Sequence, residues 1–137
     1  MRTVLALGVL VAAQVAAADP VAVVDKQLTA YNAKDVEAFL SCYAADAELL
    51  ELPDKPIVKG EAALRERYTK RFADKLLHAT IGKRIVMGNK VIDEEHIRLT
   101  WPEGPGTWEA AAIYEVTGDK ISRVWFVFGE KKIDAKK

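Results

Sequence analysis

Glu51 lies in the apolar segment Ala47-Glu48-Leu49-Leu50-Glu51-Leu52, which has the composition of a short strand. A carboxylate there either points to solvent, paired with an arginine of the helix that follows, or sits in a closed pocket. In a pocket, burial lifts its pKa toward the range useful for proton transfer and makes it a candidate general base. His78, in Leu76-Leu77-His78-Ala79, is a second candidate proton carrier because its ordinary pKa lies near neutrality. It also reads as a structural histidine. Asp93-Glu94-Glu95-His96 has the residue types of a metal site, but strand alternation sends Asp93 and Glu95 to one face and Glu94 and His96 to the other. Four ligands cannot converge from that arrangement, so a metal would need help from elsewhere, such as His78, and none is expected. Facing a pocket, Glu95 would share a proton with Glu51 or hold a cationic group. Facing outward, the two acids would meet lysine or arginine partners. Arg67 and Arg71, four apart on one helix face, are solvated, salt-bridged, or able to clamp a substrate carboxylate.

Few elements are available to position these groups. Val21, Val24, Leu28 and Tyr31 recur at helical spacing and predict a helix from Pro20 to about Ala33. After a break at Asn32 to Asp35, Val36, Phe39, Leu40 and Tyr43 predict a second helix, which also carries Cys42 as a buried thiol. Pro53 and Pro56 exclude regular structure between the Glu51 strand and Gly60. Leu64, Tyr68 and Phe72 then mark a third helix, about Glu61 to Ala73. The rest reads as two hairpins. Leu76 to Met87 and Val91 to Trp101 flank Gly88-Asn89, and Thr107 to Thr117 and Lys120 to Phe128 flank Gly118-Asp119. In the last strand Val124, Phe126 and Phe128 share one face, while Arg123, Trp125 and Val127 share the other. The expected fold class is α+β, with three N-terminal helices on a strongly curved mixed or antiparallel sheet that forms a cone around a pocket.

Met1-Arg2, the apolar run Val4 to Ala13 and the small residues Ala16-Ala17-Ala18 form a secretory leader pattern over residues 1–18. The run is shorter than the roughly 20 apolar residues a membrane span needs. Periplasmic or secreted location is the expectation, with residues 19–137 as one domain of 137 − 18 = 119 residues. Lys+Arg and Asp+Glu are both 20, and losing Arg2 leaves 19 − 20 = −1. So balanced a charge does not steer toward phosphate backbones, so no nucleic-acid partner is expected. No phosphate loop, nucleophile elbow or dinucleotide fingerprint is present, and no cofactor is expected. Trp125 and Val127 make the last strand apolar on both sides. Helices cover only one side, so a homodimer through the Trp125 face is expected.

The segments Gln27-Leu28-Thr29-Ala30-Tyr31-Asn32-Ala33-Lys34-Asp35 and Tyr43-Ala44-Ala45-Asp46-Ala47-Glu48, the Gly60 helix, the paired hairpins and Phe128-Gly129-Glu130-Lys131 resemble the ketosteroid isomerase-like, or SnoaL-like polyketide cyclase, superfamily. That superfamily shares the cone fold of nuclear transport factor 2 and hosts isomerases, cyclases, dehydratases, epoxide hydrolases and non-catalytic binders. The resemblance places the aspartate base of the isomerases at Glu51, their oxyanion-hole tyrosine at Gln27 and their protonated aspartate near Ala112. Two of those three groups are replaced here, so steroid isomerisation itself is not implied. What it implies is an apolar pocket for a small hydrophobic organic molecule, bounded by Gln27, Tyr31, Tyr68, Trp108, Ala112, Phe126 and Phe128, with Glu51, His78 and Glu95 as acid–base candidates. A non-catalytic carrier of a hydrophobic ligand and a dimeric association module are the alternatives.

Overall fold

The computed structural model describes residues 18–136. The leader expected over residues 1–18 lies outside them apart from Ala18. Helix α1, Pro20–Ala33, starts where the Asp19 carboxylate accepts from the Val21 N–H at 3.0 Å, with Pro20 in the first turn. It ends at Lys34, whose left-handed φ of 58° turns the chain. Asp35 then caps α2, Val36–Leu40, by accepting from the Ala38 N–H. Helix α3, Glu61–Arg71, follows Gly60 at φ 84°, a conformation that favours glycine, and places Glu61 in its first turn and Lys70 and Arg71 in its last.

Six strands complete the fold: β1 Tyr43–Glu51, β2 Lys55–Lys59, β3 His78–Met87, β4 Lys90–Trp101, β5 Gly104–Thr117 and β6 Lys120–Ile133. They form one mixed sheet in the order β2-β1-β6-β5-β4-β3, with β1 and β6 parallel and the other neighbours antiparallel. The sheet curls around the helices without closing. The expected α+β cone is the observed fold.

Three local expectations are corrected. Helix α2 has five residues, and Tyr43, expected on it, opens β1 because its backbone pairs with Ile121 of β6. Cys42 is therefore in the connection; it is buried, and burial pushes its thiol pKa up. Pro56 lies inside β2, which the two prolines seemed to exclude. An edge strand tolerates proline because one of its sides needs no ladder donor. Strand β6 runs on past Phe128, where the pattern ended it, to Ile133, and Lys131 and Lys132 pair with Trp108 and Thr107.

The core sits between the helices and the concave sheet face. Phe39, fully buried, packs its ring 4.3 Å from Tyr68, 4.9 Å from Tyr43 and 5.4 Å from Phe72. Asn32 ties α1 to the exposed edge of β3 like an extra strand residue. Its amide donates to the Ala79 carbonyl at 2.9 Å and its carbonyl accepts from the Ala79 N–H at 2.8 Å. At the other end of the sheet Gly106 permits a close β5–β6 approach. A Cβ there would overlap the Lys132 carbonyl oxygen, a backbone atom that cannot swing aside. Gly106→Ala is expected to cost about 1–3 kcal/mol by forcing the strands apart. Urea denaturation checks this, and an unchanged midpoint would show that the strands part at no cost.

Candidate functional site

A cavity opens between α1, α3 and the concave sheet face. All four tyrosines of the chain line it: Tyr31 from α1, Tyr43 from β1, Tyr68 from α3 and Tyr114 from β5. Trp108, Phe126 and Phe128 form another wall, with Phe128 stacked on Trp108 at 4.3 Å and on Phe126 at 5.5 Å. The cavity volume is about 40 Å³. Since one water needs roughly 10–15 Å³, this is room for a few heavy atoms.

Glu95 is the carboxyl inside. Alternation does place Asp93 and Glu95 together on the buried face of β4 and Glu94 and His96 outside. Glu95 is 6% exposed. The Tyr114 O–H donates to its Oε1 at 2.6 Å, reaching along the sheet over Ala112. Alanines at 110 and 112, opposite Glu95 and Asp93, keep β5 thin enough for the ring and the carboxyl to meet. Burial raises the Glu95 pKa to about 7, assisted by Asp93 and opposed by the Tyr114 hydrogen bond and Arg71. Asp93 itself is 1% exposed and gripped by Arg84, whose Nε and Nη2 donate to its two oxygens at 2.6 and 2.8 Å. The same guanidinium reaches Asp25 of α1 at 2.6 Å, so one arginine joins α1, β3 and β4 beneath the cavity.

The hydroxyls stay protonated. Burial pushes Tyr43 and Tyr114 well above the ordinary range, Tyr68 to about 12, and Tyr31 upward despite the Arg71 guanidinium beside it. Arg71 Nε donates to the Tyr31 oxygen at 3.2 Å. Gln27, 5% exposed, also lines the cavity, next to the Tyr43 hydroxyl. One titratable carboxyl thus faces several neutral O–H donors in an apolar enclosure. A titratable carboxyl beside neutral O–H donors has the groups that proton transfer and oxyanion stabilisation require.

Of the residues singled out from the sequence, Glu95, Gln27, Tyr31, Tyr68, Trp108, Phe126 and Phe128 come together here. Glu51 does not. It is the last residue of β1, and although its backbone pairs with Phe126, its carboxylate is 39% exposed and bridges Lys55 at 3.0 Å. The expectation that it is buried and points into the cone is corrected: Tyr43, at the start of β1, lines the cavity, whereas Glu51, at the strand's end, turns its carboxylate to Lys55 and does not line it. His78 opens β3 with its side chain exposed, away from the cavity. Ala112 is fully buried but does not line the cavity. Among the described residues no group of three or more His, Cys, Asp or Glu could hold a metal ion. Tyr43 and Tyr114 were missed. Tyr114 shares the Ala110-Ala112 face by alternation, which was the available signal.

A family model described as a SnoaL-like domain matches residues 24–124. No curated protein matches the chain. Among solved structures, an uncharacterized cystatin fold protein from Novosphingobium aromaticivorans is 26% identical, with a TM-score of 0.72 over 80% of this chain and 98% of that one. The Δ5-3-ketosteroid isomerase from Mycobacterium sp. is 21% identical, with a TM-score of 0.71 over 82% and 95%. A protein with a ketosteroid isomerase-like fold from Catenulispora acidiphila, in complex with trimethylamine, is 18% identical, with a TM-score of 0.66 over 77% and 83%. With a family model matched across most of the described chain and the cone fold beneath it, this protein belongs to the SnoaL-like domain family.

Proposed function

We propose that the protein is a small-molecule enzyme in which Glu95, not Glu51, is the proton-transfer group. The observation that carries this reading is a carboxyl 6% exposed, oriented by the Tyr114 hydroxyl, in a cavity walled by neutral tyrosine donors. Ionised Glu95 takes a proton from carbon next to a carbonyl, the electron pair moves onto the carbonyl oxygen, and a tyrosine O–H holds the resulting enolate. Protonated Glu95 then returns the proton to the same or a neighbouring carbon. Tyr114 bonds only Oε1, which leaves Oε2 for the substrate. The small cavity supports a compact ligand over a polycyclic one. The test is deuterium exchange from solvent into small enolisable ketones, followed by NMR. The native protein should accelerate it and Glu95→Gln should not. Equal exchange by both would remove Glu95 from the reaction.

We also propose that the working form is a homodimer through the convex sheet face. Ile85, Ile92, Ile113 and Trp125 stand in register across β3, β4, β5 and β6, forming one apolar rung over which the described residues place no further layer. Ile85 is 55% exposed and neighbouring Val127 46%. A two-fold pairing of sheets would bury this rung at an isologous interface. Trp125→Glu is expected to convert the dimer to monomer or to aggregate, read by light scattering. A native protein that is monomeric at tens of micromolar would refute the pairing.

A further inference from the structure

Arg67 and Arg71 border two spaces. Both line the inner cavity, and both line a broad outer groove of about 660 Å³ between α3, β2 and the end of β4. They therefore form the partition between the enclosed site and solvent. Among the described residues neither is ion-paired, whereas Arg65, Arg84 and Arg98 each bind a carboxylate. Arg71 uses Nε on the Tyr31 hydroxyl, and no protein acceptor among the described residues meets its two terminal nitrogens. The acids of the groove are already engaged. Glu66 bridges Lys70 at 3.0 Å, and Asp74 accepts from the Thr100 N–H and hydroxyl and from the Leu76 N–H. Two guanidiniums four residues apart on one helix face thus converge on the mouth without an ion-pair contact among the described residues, Glu95 of the enclosure acting on Arg71 only at longer range. Such a fork recognises a carboxylate through paired, charge-assisted hydrogen bonds.

We infer that Arg67 and Arg71 are a carboxylate-binding subsite and that the substrate is a short-chain oxo acid. This rests on the proton-transfer reading above and adds the substrate class to it. The carboxylate sits at the mouth, and the carbonyl with its adjacent C–H enters the tyrosine-lined cavity toward Glu95. Size sets the chain length. About 40 Å³ takes a few heavy atoms, well short of the roughly 150 Å³ that a benzene-binding cavity offers.

The test compares 2-oxobutanoate with 2-butanone, which keeps the ketone and lacks the carboxylate, by calorimetric titration of the full protein. The acid is expected to bind at least about tenfold more tightly. Arg67→Met and Arg71→Met should each bring it down toward the ketone. If Arg71→Met fails to fold, Arg67→Met, whose side chain is exposed and unpartnered among the described residues, carries the comparison. Equal affinity for acid and ketone, no acid binding at millimolar concentration, or acid binding indifferent to both substitutions would overturn the inference. Deuterium exchange at the carbon beside the ketone separates the two claims. Arginine-dependent acid binding without Glu95-dependent exchange keeps the subsite and removes the proton transfer. Exchange on the ketone without preference for the acid does the reverse.

Discussion

Glu95→Gln is expected to abolish proton transfer and, independently of any substrate, to flatten a pH dependence of stability. The amide keeps the shape and can still accept from Tyr114, but it cannot take a proton, so turnover should fall on the order of 10²–10⁴-fold. The stability effect follows from linkage. Unfolded, the carboxyl titrates near 4.5; folded, it holds its proton to about pH 7 because burial penalises the charge. Folding therefore takes up a proton between these values, and stability is lost as pH rises through that window. At about 1.4 kcal/mol per pH unit the loss approaches about 3 kcal/mol by pH 8. Carboxylates held below their ordinary pKa, such as Asp74 and Asp134, act in the opposite sense at lower pH and leave this window to Glu95. Urea midpoints of native protein and Glu95→Gln at pH 5, 6, 7 and 8 give the comparison. Parallel profiles would mean that Glu95 is already ionised in the fold.

Asp93→Ala should produce the largest loss of stability at a single side chain near the site. Asp93 is 1% exposed and receives two hydrogen bonds from Arg84, which is itself shared with Asp25. Removing one partner of a buried pair costs about 3–5 kcal/mol, because the other charge is stranded and a void opens. Arg84 keeps Asp25 and some access to water, so about 3 kcal/mol is expected here. Pairing Asp93→Leu with Arg84→Met should cost less than Asp93→Ala alone, since no charge is then left unmatched beneath the cavity. Chemical denaturation of both variants decides it. A double variant as unstable as the sum of its parts would show that the ion pair contributes little beyond packing. Asp93 also helps to raise the Glu95 pKa, so Asp93→Asn should shift the Glu95 transition downward.

Much of the scaffold was legible because its signals are local. Period-two alternation placed Asp93 with Glu95 and set Phe126 and Phe128 against Trp125, since neighbouring strand side chains must point to opposite faces. Gly88-Asn89 and Gly118-Asp119 marked hairpins because a left-handed turn residue is needed there, and both glycines adopt positive φ. Helical spacing found α1 and α3 and, through them, Tyr31, Tyr68 and the Arg67–Arg71 face.

What the local pattern left open was decided by contacts distant in sequence. Phe39, Leu40 and Tyr43 keep a helical period, yet Tyr43 joins β1 because a parallel ladder with β6, nearly eighty residues away in the chain, satisfies its backbone. Alternation groups side chains by face but does not say which face is concave; sheet curl and helix coverage settle that. They bury Glu95 in the enclosure and leave Glu51 at the strand end on Lys55, although both are acids in apolar strands. The four tyrosines come from α1, β1, α3 and β5 and share no motif. The sequence determined most elements and the sides of their strands, because those depend on neighbours along the chain, while β2 and the end of α2 did not show in it. Only the tertiary structure selected Glu95 as the buried carboxyl, because burial, and the pKa that follows from it, is set by everything that surrounds the group.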